Sequence, residues 1–367
     1  MIYLDHAATS PLREDVLNEM LPWLGVPANP ASPHQAGQRA AMAVENAREA
    51  VAALLGRPHE GIVFTSGATE ANHLWWHALP ELGIHRAATG RIEHPCILAA
   101  ATRFASHPDA AITWLDAEPC GRTVLPEDTS LEALSLMAAN HETGVLQRIG
   151  EAASWCQDQG ALLHVDATHA VGKVWLDFGG VHAVSASSHK IGGPAGVGVL
   201  SLNNGQPFPA FLTGGGQERG RRSGTVPTAS VVGMGAAARA IGRDLARQQE
   251  TWAAAERAIT ETIIALGGRR IGHPEHVLSC TILCAFPGLR GDTLVQSLDL
   301  AGFAVSAGAA CASGSLGPSE VLLAMGDPAP EGGVRISMGH NTTLEEVAAF
   351  CEALRTITPK AREAADW

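Results

Sequence analysis

The sequence predicts an α/β fold: a large domain with a mostly parallel sheet, plus a smaller α+β domain. Three observations carry this. Up to about residue 240, short apolar runs alternate with segments of helical period. Several of those runs end in polar or glycine-rich turns, where open α/β sheets present their ligand-binding loops. Beyond that point one long Ala- and Arg-rich helical stretch and a few isolated strand-like runs take over.

Residues 38–55 read as a helix, because Val44, Ala47, Val51, Leu54 and Leu55 recur at helical spacing and Gly56 is a natural stop. Ile62-Val63-Phe64 is a short buried strand running into Thr65–Thr69 and a second helix. Leu134–Ala138 reads as a strand, Asn140–Gly144 as a loop and 149–159 as a helix. Leu162–Val165 is a strand ending at Asp166; Val181–Ala186 is another, ending before Ser187–Lys190; Val197–Leu200 is a third. A helical stretch spans 235–266, strand-like runs follow at Val277–Phe286 and Val334–Met338, and a helix covers 344–357. The tail Pro359–Trp367 reads as frayed. The expected division is a large domain at 12–245, with 1–11 and 246–367 in the small one.

Composition narrows the function. The 367 residues are 46% apolar and 17% charged, with a formal charge of −12. That balance predicts a folded core, and the absence of a basic stripe argues against broad nucleic-acid binding. No apolar run is long enough for a membrane span, and the start MIYLDHAATS lacks signal-peptide character, so the cytoplasm is the expected compartment. The cysteines are odd in number, seven, with no CxxC, which speaks against a disulfide scaffold or structural zinc; no metal site is expected. Lysine is rare: only Lys173, Lys190 and Lys360 occur, so lysine chemistry has few candidates.

Lys190 stands out, in SSHKIGGPAGVG, between an apolar strand and a glycine-rich loop. A lysine in such a pocket can lose its proton by desolvation and become a nucleophile. Lys173 follows a glycine and reads as the start of a strand; Lys360 lies in the tail. Asp166 ends the strand LLHVD. Gly67-Ala68-Thr69 opens a helix, where backbone N–H groups can hold a phosphate, and Ser187 and His189 add side-chain donors. Pyridoxal phosphate explains all three strand ends: a lysine for the Schiff base, a carboxylate beside the ring nitrogen and an anion cradle. His94, before Pro95 and expected at another strand end, can stack on the ring. Cys311, among glycines and small residues, reads as an accessible nucleophile, whereas Cys280 and Cys284 read as core. Arg335, alone in the apolar run GGVRISMG, suits either a substrate carboxylate or an internal ion pair.

Taken together, these stretches resemble a cysteine desulfurase of the NifS/IscS type, within the class V aminotransferase group. The matching segments run from YLDHAATSP through NPASPHQAG, IVFTSGATEAN, EHPCILAA, NHETGV, HVDATHAVGK, SSHKIGGPAGVG and GGGQERGRRSGT to SAGAACASGSLGPS and VRISMG. The resemblance implies the pyridoxal-phosphate-dependent transferase fold, L-cysteine as substrate and a persulfide on Cys311. It implies Lys190 as Schiff-base lysine, Asp166 as ring-nitrogen partner and His94 as stacking residue and proton donor. Ala68, Thr69, Ser187 and His189 would hold the phosphate, and Thr225 would reach the phosphate of a neighbouring subunit in a homodimer. Arg335 would bind the substrate carboxylate. A sulfur-acceptor protein, an iron–sulfur scaffold or sulfur carrier, would be the partner.

Three positions depart from the pattern. His141 stands where the family has an asparagine near the cofactor oxygen and substrate carboxylate; His169 replaces a glutamine that bonds the ring oxygen; Gln217 replaces a common histidine. Two imidazoles around the ring keep a related lyase open, acting on selenocysteine, cystine or another amino acid. A pyridoxal-phosphate protein that mainly supports a partner complex is the other alternative.

Overall fold

The computed structural model describes residues 1–27, 29–203, 208–307 and 317–365. The chain opens with β1 (Ile2–Tyr3), α1 (Glu14–Leu24) and α2 (Gln35–Leu55). There follow β2 (Ile62–Thr65), α3 (Ala68–Glu81), β3 (Arg86–Gly90), α4 (Pro95–Phe104), β4 (Ala111–Leu115) and β5 (Ala133–Met137). α5 (Ile149–Gln159), β6 (Leu162–Asp166), β7 (Ala183–Ser187) and β8 (Gly198–Leu202) complete the large sheet, and α6 (Thr228–Ala265) leaves it. The remainder is β9 (Arg269–Ile271), β10 (Thr281–Ala285), α7 (Gly291–Leu300), β11 (Phe303–Ala304), β12 (Ser306–Ala307), α8 (Glu320–Ala324), β13 (Val334–Ser337) and α9 (Leu344–Ala365).

Among the described residues, the large sheet runs in the order β2-β8-β7-β6-β5-β3-β4. Every neighbouring pair is parallel except those made by β8, which is antiparallel to both β2 and β7. The strands read as continuous apolar runs because both faces are covered. Val63, Ala87, Ala183 and Leu200 pack with α3 and α4 on one face. Their chain neighbours Phe64, Ala88, Val184 and Val199 pack into the cluster holding α2 and α6 on the other. The smaller sheet runs β12-β13-β10-β9, and β1 pairs in parallel with β11. The N-terminal strand thus pairs with a strand near the C-terminal end of the fold. α6 is 38 residues long and runs through position 245 without a break.

Several local expectations need correcting. α2 ends as read, with Gly56 at φ 59 donating its N–H to the carbonyls of Ala52 and Ala53. The strand expected at 277–286 is shorter, Thr281–Ala285. Lys173 begins no strand; it sits in a turn and is buried. The tail expected to fray continues as α9 to Ala365, with Pro359 inside the helix. Burial explains this: Thr358 is 0% and Ala361 7% exposed, so packing outweighs the proline break.

Candidate active site

Because β8 alone runs against the others, the C-terminal ends of β2, β7, β6, β5 and β3 share one edge of the sheet. A cavity of about 470 Å³ opens there. Nine of the residues read from the sequence line it: Ala68, Thr69, His94, His141, Asp166, His169, Ser187, His189 and Lys190. Arg335 and Thr225 do not line it, and Cys311 lies outside the described residues. His94 stands four residues past the end of β3, as the N-cap of α4, rather than at the strand end itself.

Each strand end contributes a distinct chemistry. β2 runs through Gly67 into α3, whose N-terminus has no side-chain cap. Its first N–H groups therefore face the cavity as an anion site beside the Thr69 hydroxyl. The turn depends on Gly198 of β8: a Cβ there would lie 2.6 Å from the Gly67 carbonyl carbon and 2.8 Å from the Ala186 oxygen. β6 delivers Asp166, whose carboxylate accepts from Asn72 Nδ2 at 2.7 Å and the Thr168 N–H at 3.0 Å. β7 delivers Ser187 and, one 3-10 turn later, Lys190. The Lys190 ammonium donates to the carbonyls of Ala7 and, at 2.8 Å, Ala8. The N-terminal segment thus closes the cavity from the small layer.

Four imidazoles surround this space. Burial, then Lys190, pushes His189 down to about 4. Burial also lowers His94, opposed by Asp166 and helped by Lys190. His141 is held well below its ordinary range by burial, then by His94, Arg335 and Lys190. His169 is held there by burial and Lys173. All four rings are neutral at neutral pH. His169 Nε2 bonds the Thr281 hydroxyl at 3.1 Å, while the Nδ1 atoms of His169 and His141 are buried without a partner. Both rings line the cavity.

Arg335 is fully buried behind this wall. Its guanidinium donates to the His141 carbonyl at 2.9 Å and pairs with Asp5 at 3.0 Å, leaving Nε without a partner. Thr225 is exposed. Sequence reasoning missed Asn72 and Cys96. Asn72 lies three residues after Thr69 on α3, one helical turn along the same face. Cys96 lies two residues after His94 and lines the cavity. Lys173 was set aside on the sequence, yet its ammonium is buried and donates to the His169 carbonyl at 2.8 Å.

The anion site, the carboxylate, the lysine and the unpartnered imidazole edges fit pyridoxal phosphate, with Lys190 within the same cavity. Fold and site together define a pyridoxal-phosphate enzyme. Residues 2–350 match the Aminotransferase class-V family, and the chain belongs to it. The chain is 34% identical over 392 aligned positions to an IscS-like cysteine desulfurase of Mycobacterium tuberculosis, covering 100% of this chain and 98% of that one. It is 36% identical over 363 positions to the cysteine desulfurase NifS of Azotobacter vinelandii, covering 94% and 90%. Among solved structures, a NifS-like protein superposes with a TM-score of 0.90 at 30% identity, covering 98% of this chain and 99% of that one.

Proposed function

We propose that this enzyme removes sulfur from L-cysteine, releasing L-alanine and leaving a persulfide on Cys311 for transfer to an acceptor. The observation that carries this reading is the single cavity joining Lys190, Asp166 and the uncapped N-terminus of α3. Full-length similarity to cysteine desulfurases supports it. Bound pyridoxal phosphate supplies an electron sink for the bonds at the substrate Cα. Lys190 moves the Cα proton, as the amine nearest the strand ends that build the cavity. Asp166, held by Asn72 and Thr168, keeps a carboxylate at the cavity floor. Ala68, Thr69, Ser187 and His189 would hold the phosphate. His94 would stack on the ring and, once it has taken up a proton during turnover, return it to the product. The Cys311 thiolate attacks the substrate sulfur: the Cβ–S bond breaks, the S–S bond forms, and the electron pair remains on the alanine carbon.

Arg335 is assigned to the substrate carboxylate. Its unpartnered Nε supports this, and the pairing with Asp5 implies that the clamp must exchange partners or share them. Thr225, exposed in the single chain, fits a contact with a second copy's phosphate, and so a homodimer. A sulfur carrier or iron–sulfur scaffold is the proposed acceptor, and the cytoplasm the proposed compartment. Among the described residues, no helix is long and apolar enough to cross a membrane. The unpartnered Nδ1 edges of His141 and His169 favour one second reading, a lyase acting on another amino acid.

The test is sulfide and alanine release from L-cysteine with a reductant, for the wild type and Cys311→Ser. Equal yields in the wild type, lost in the variant, are expected. Turnover that survives in Cys311→Ser, or pyruvate in place of alanine, overturns the desulfurase assignment in favour of the lyase.

A further inference from the structure

One thiol inside the cavity has no part in the reaction above. Cys96 is the second residue of α4 and lines the cavity beside His94. Its sulfur lies 3.0 Å from His94 Nδ1 and 3.4 Å from Asn72 Nδ2. Its backbone N–H donates to the same Nδ1 at 3.2 Å, forming the helix cap.

The direction of these bonds follows from donor chemistry. An amide NH2 donates and cannot accept. Asn72 gives one hydrogen to Asp166 Oδ2, at 2.7 Å, and has the second for the Cys96 sulfur. Turning the amide over would set its oxygen against the Asp166 oxygen, so the orientation is fixed. Asn72 Oδ1 is the atom left without a partner. The sulfur thus accepts from Asn72, as it does from the Thr69 hydroxyl, and its own hydrogen goes to His94 Nδ1. Burial and the Asp166 charge push the Cys96 thiol up to about 12, so the hydrogen is present throughout the working range.

We propose that Cys96 is a positioning residue that locks His94 in the Nε2–H tautomer, as the middle link of a one-way chain from Asn72. Two donors, the Cys96 N–H and S–H, converge on Nδ1, so the ring's single proton sits on Nε2. The lock also resists charging, because a second proton would have to enter at Nδ1 against both donors. The other groups acting on His94 are Asp166, which favours its charge, Lys190, which opposes it, and the neutral His141 ring, 5.2 Å away edge to face. The neighbouring Glu93 is itself buried, with its carboxyl raised well above the usual range. The sequence next to His94 therefore sets which nitrogen it offers to the cavity.

The inference rests on the cofactor cavity, and its readout needs no turnover, so it stands apart from the choice between desulfurase and lyase. Holoenzyme with 15N-labelled histidine is titrated by NMR, with the His94 signals identified by their loss in His94→Gln. The wild type should show a protonated Nε2 and a hydrogen-bonded, proton-free Nδ1. In Cys96→Ala, Nδ1 should shift towards a free ring nitrogen and the titration midpoint should rise. Cys96→Ser, which keeps a donor hydrogen, should restore both. An unchanged Nδ1 signal and midpoint in Cys96→Ala, or equal effects of Ala and Ser, would overturn the proposal.

Discussion

Replacing Glu218 with alanine should destabilise the protein by about 3–5 kcal/mol, more than its position in a loop would suggest. Glu218 precedes the Arg-rich segment that leads to Thr225, and it is buried. Its two oxygens accept from Arg48 at 2.8 and 2.9 Å and from the Phe64 N–H at 2.8 Å. Arg48 is equally enclosed: it donates to the Ile62 carbonyl at 2.8 Å, and its guanidinium carbon lies 4.8 Å from the Phe64 ring centroid. Burial works against the Arg48 charge, but Glu218 and Glu45 together outweigh it and raise the guanidinium above its ordinary value. Alanine would leave that charge only the half-exposed Glu45 carboxylate, 3.0 Å from Nε, and would also orphan the Phe64 N–H, which alone is worth about 1–3 kcal/mol. The double variant Arg48→Met, Glu218→Leu removes both charges and should recover the part of the loss that comes from the unbalanced charge, the Phe64 N–H staying unpaired. Urea midpoints, followed by far-ultraviolet circular dichroism at fixed protein and cofactor concentration, measure both. A single variant within 1 kcal/mol of wild type, or a double variant no better than the single, would refute the reasoning. Since Phe64 lies in the strand that ends at the anion site, cofactor affinity should fall along with stability in Glu218→Ala.

Three further outcomes follow from the geometry. Lys190→Ala should bind cofactor without the absorption of a Schiff base and should turn over no substrate; absorption spectra of the purified variant check this. Gly198→Ala should weaken cofactor binding at least about ten-fold, because its Cβ meets only backbone at 2.6–2.8 Å and must displace the Gly67 turn; equilibrium titration of the apoenzyme reads the change. Glu142 should make stability depend on pH. Burial raises its carboxyl from 4.5 to about 7, while Ser319 donates to it at 2.6 Å. The folded value is the higher one, so this contribution is full below pH 4.5 and fades as the pH climbs to about 7. Glu142→Gln keeps an acceptor for Ser319 and should gain up to roughly 3 kcal/mol over the wild type at pH 8, with no gain at pH 4. Parallel denaturation curves at the two pH values decide it.

The strand ends were legible because their physics is local. A short apolar run that stops on aspartate, or on serine-serine-histidine-lysine, marks where the sheet meets the cavity whatever the rest of the chain does. What stayed hidden depends on partners far away in sequence. Arg335 reads equally well as a substrate clamp or an ion-pair member, and only the fold brings Asp5, 330 positions earlier, against it. Lys173 looked like the start of a strand because Lys173-Val174-Trp175-Leu176 carries strand-forming residues, yet the turn after Gly172 buries its ammonium under His169. Pro359 looked like a stop, but the helix runs on past it with Thr358 and Ala361 packed inside. The two unfamiliar histidines show the same division from the other side. Their identity was visible at once, but not that each would keep a buried nitrogen without a partner. An amide in either place brings both a donor and an acceptor; a neutral imidazole brings one of each on opposite edges, and its tautomer decides which faces inward. At His94 that choice falls to Cys96. The chemistry of this cavity is therefore set less by which rings line it than by the neighbours that fix where each ring keeps its proton.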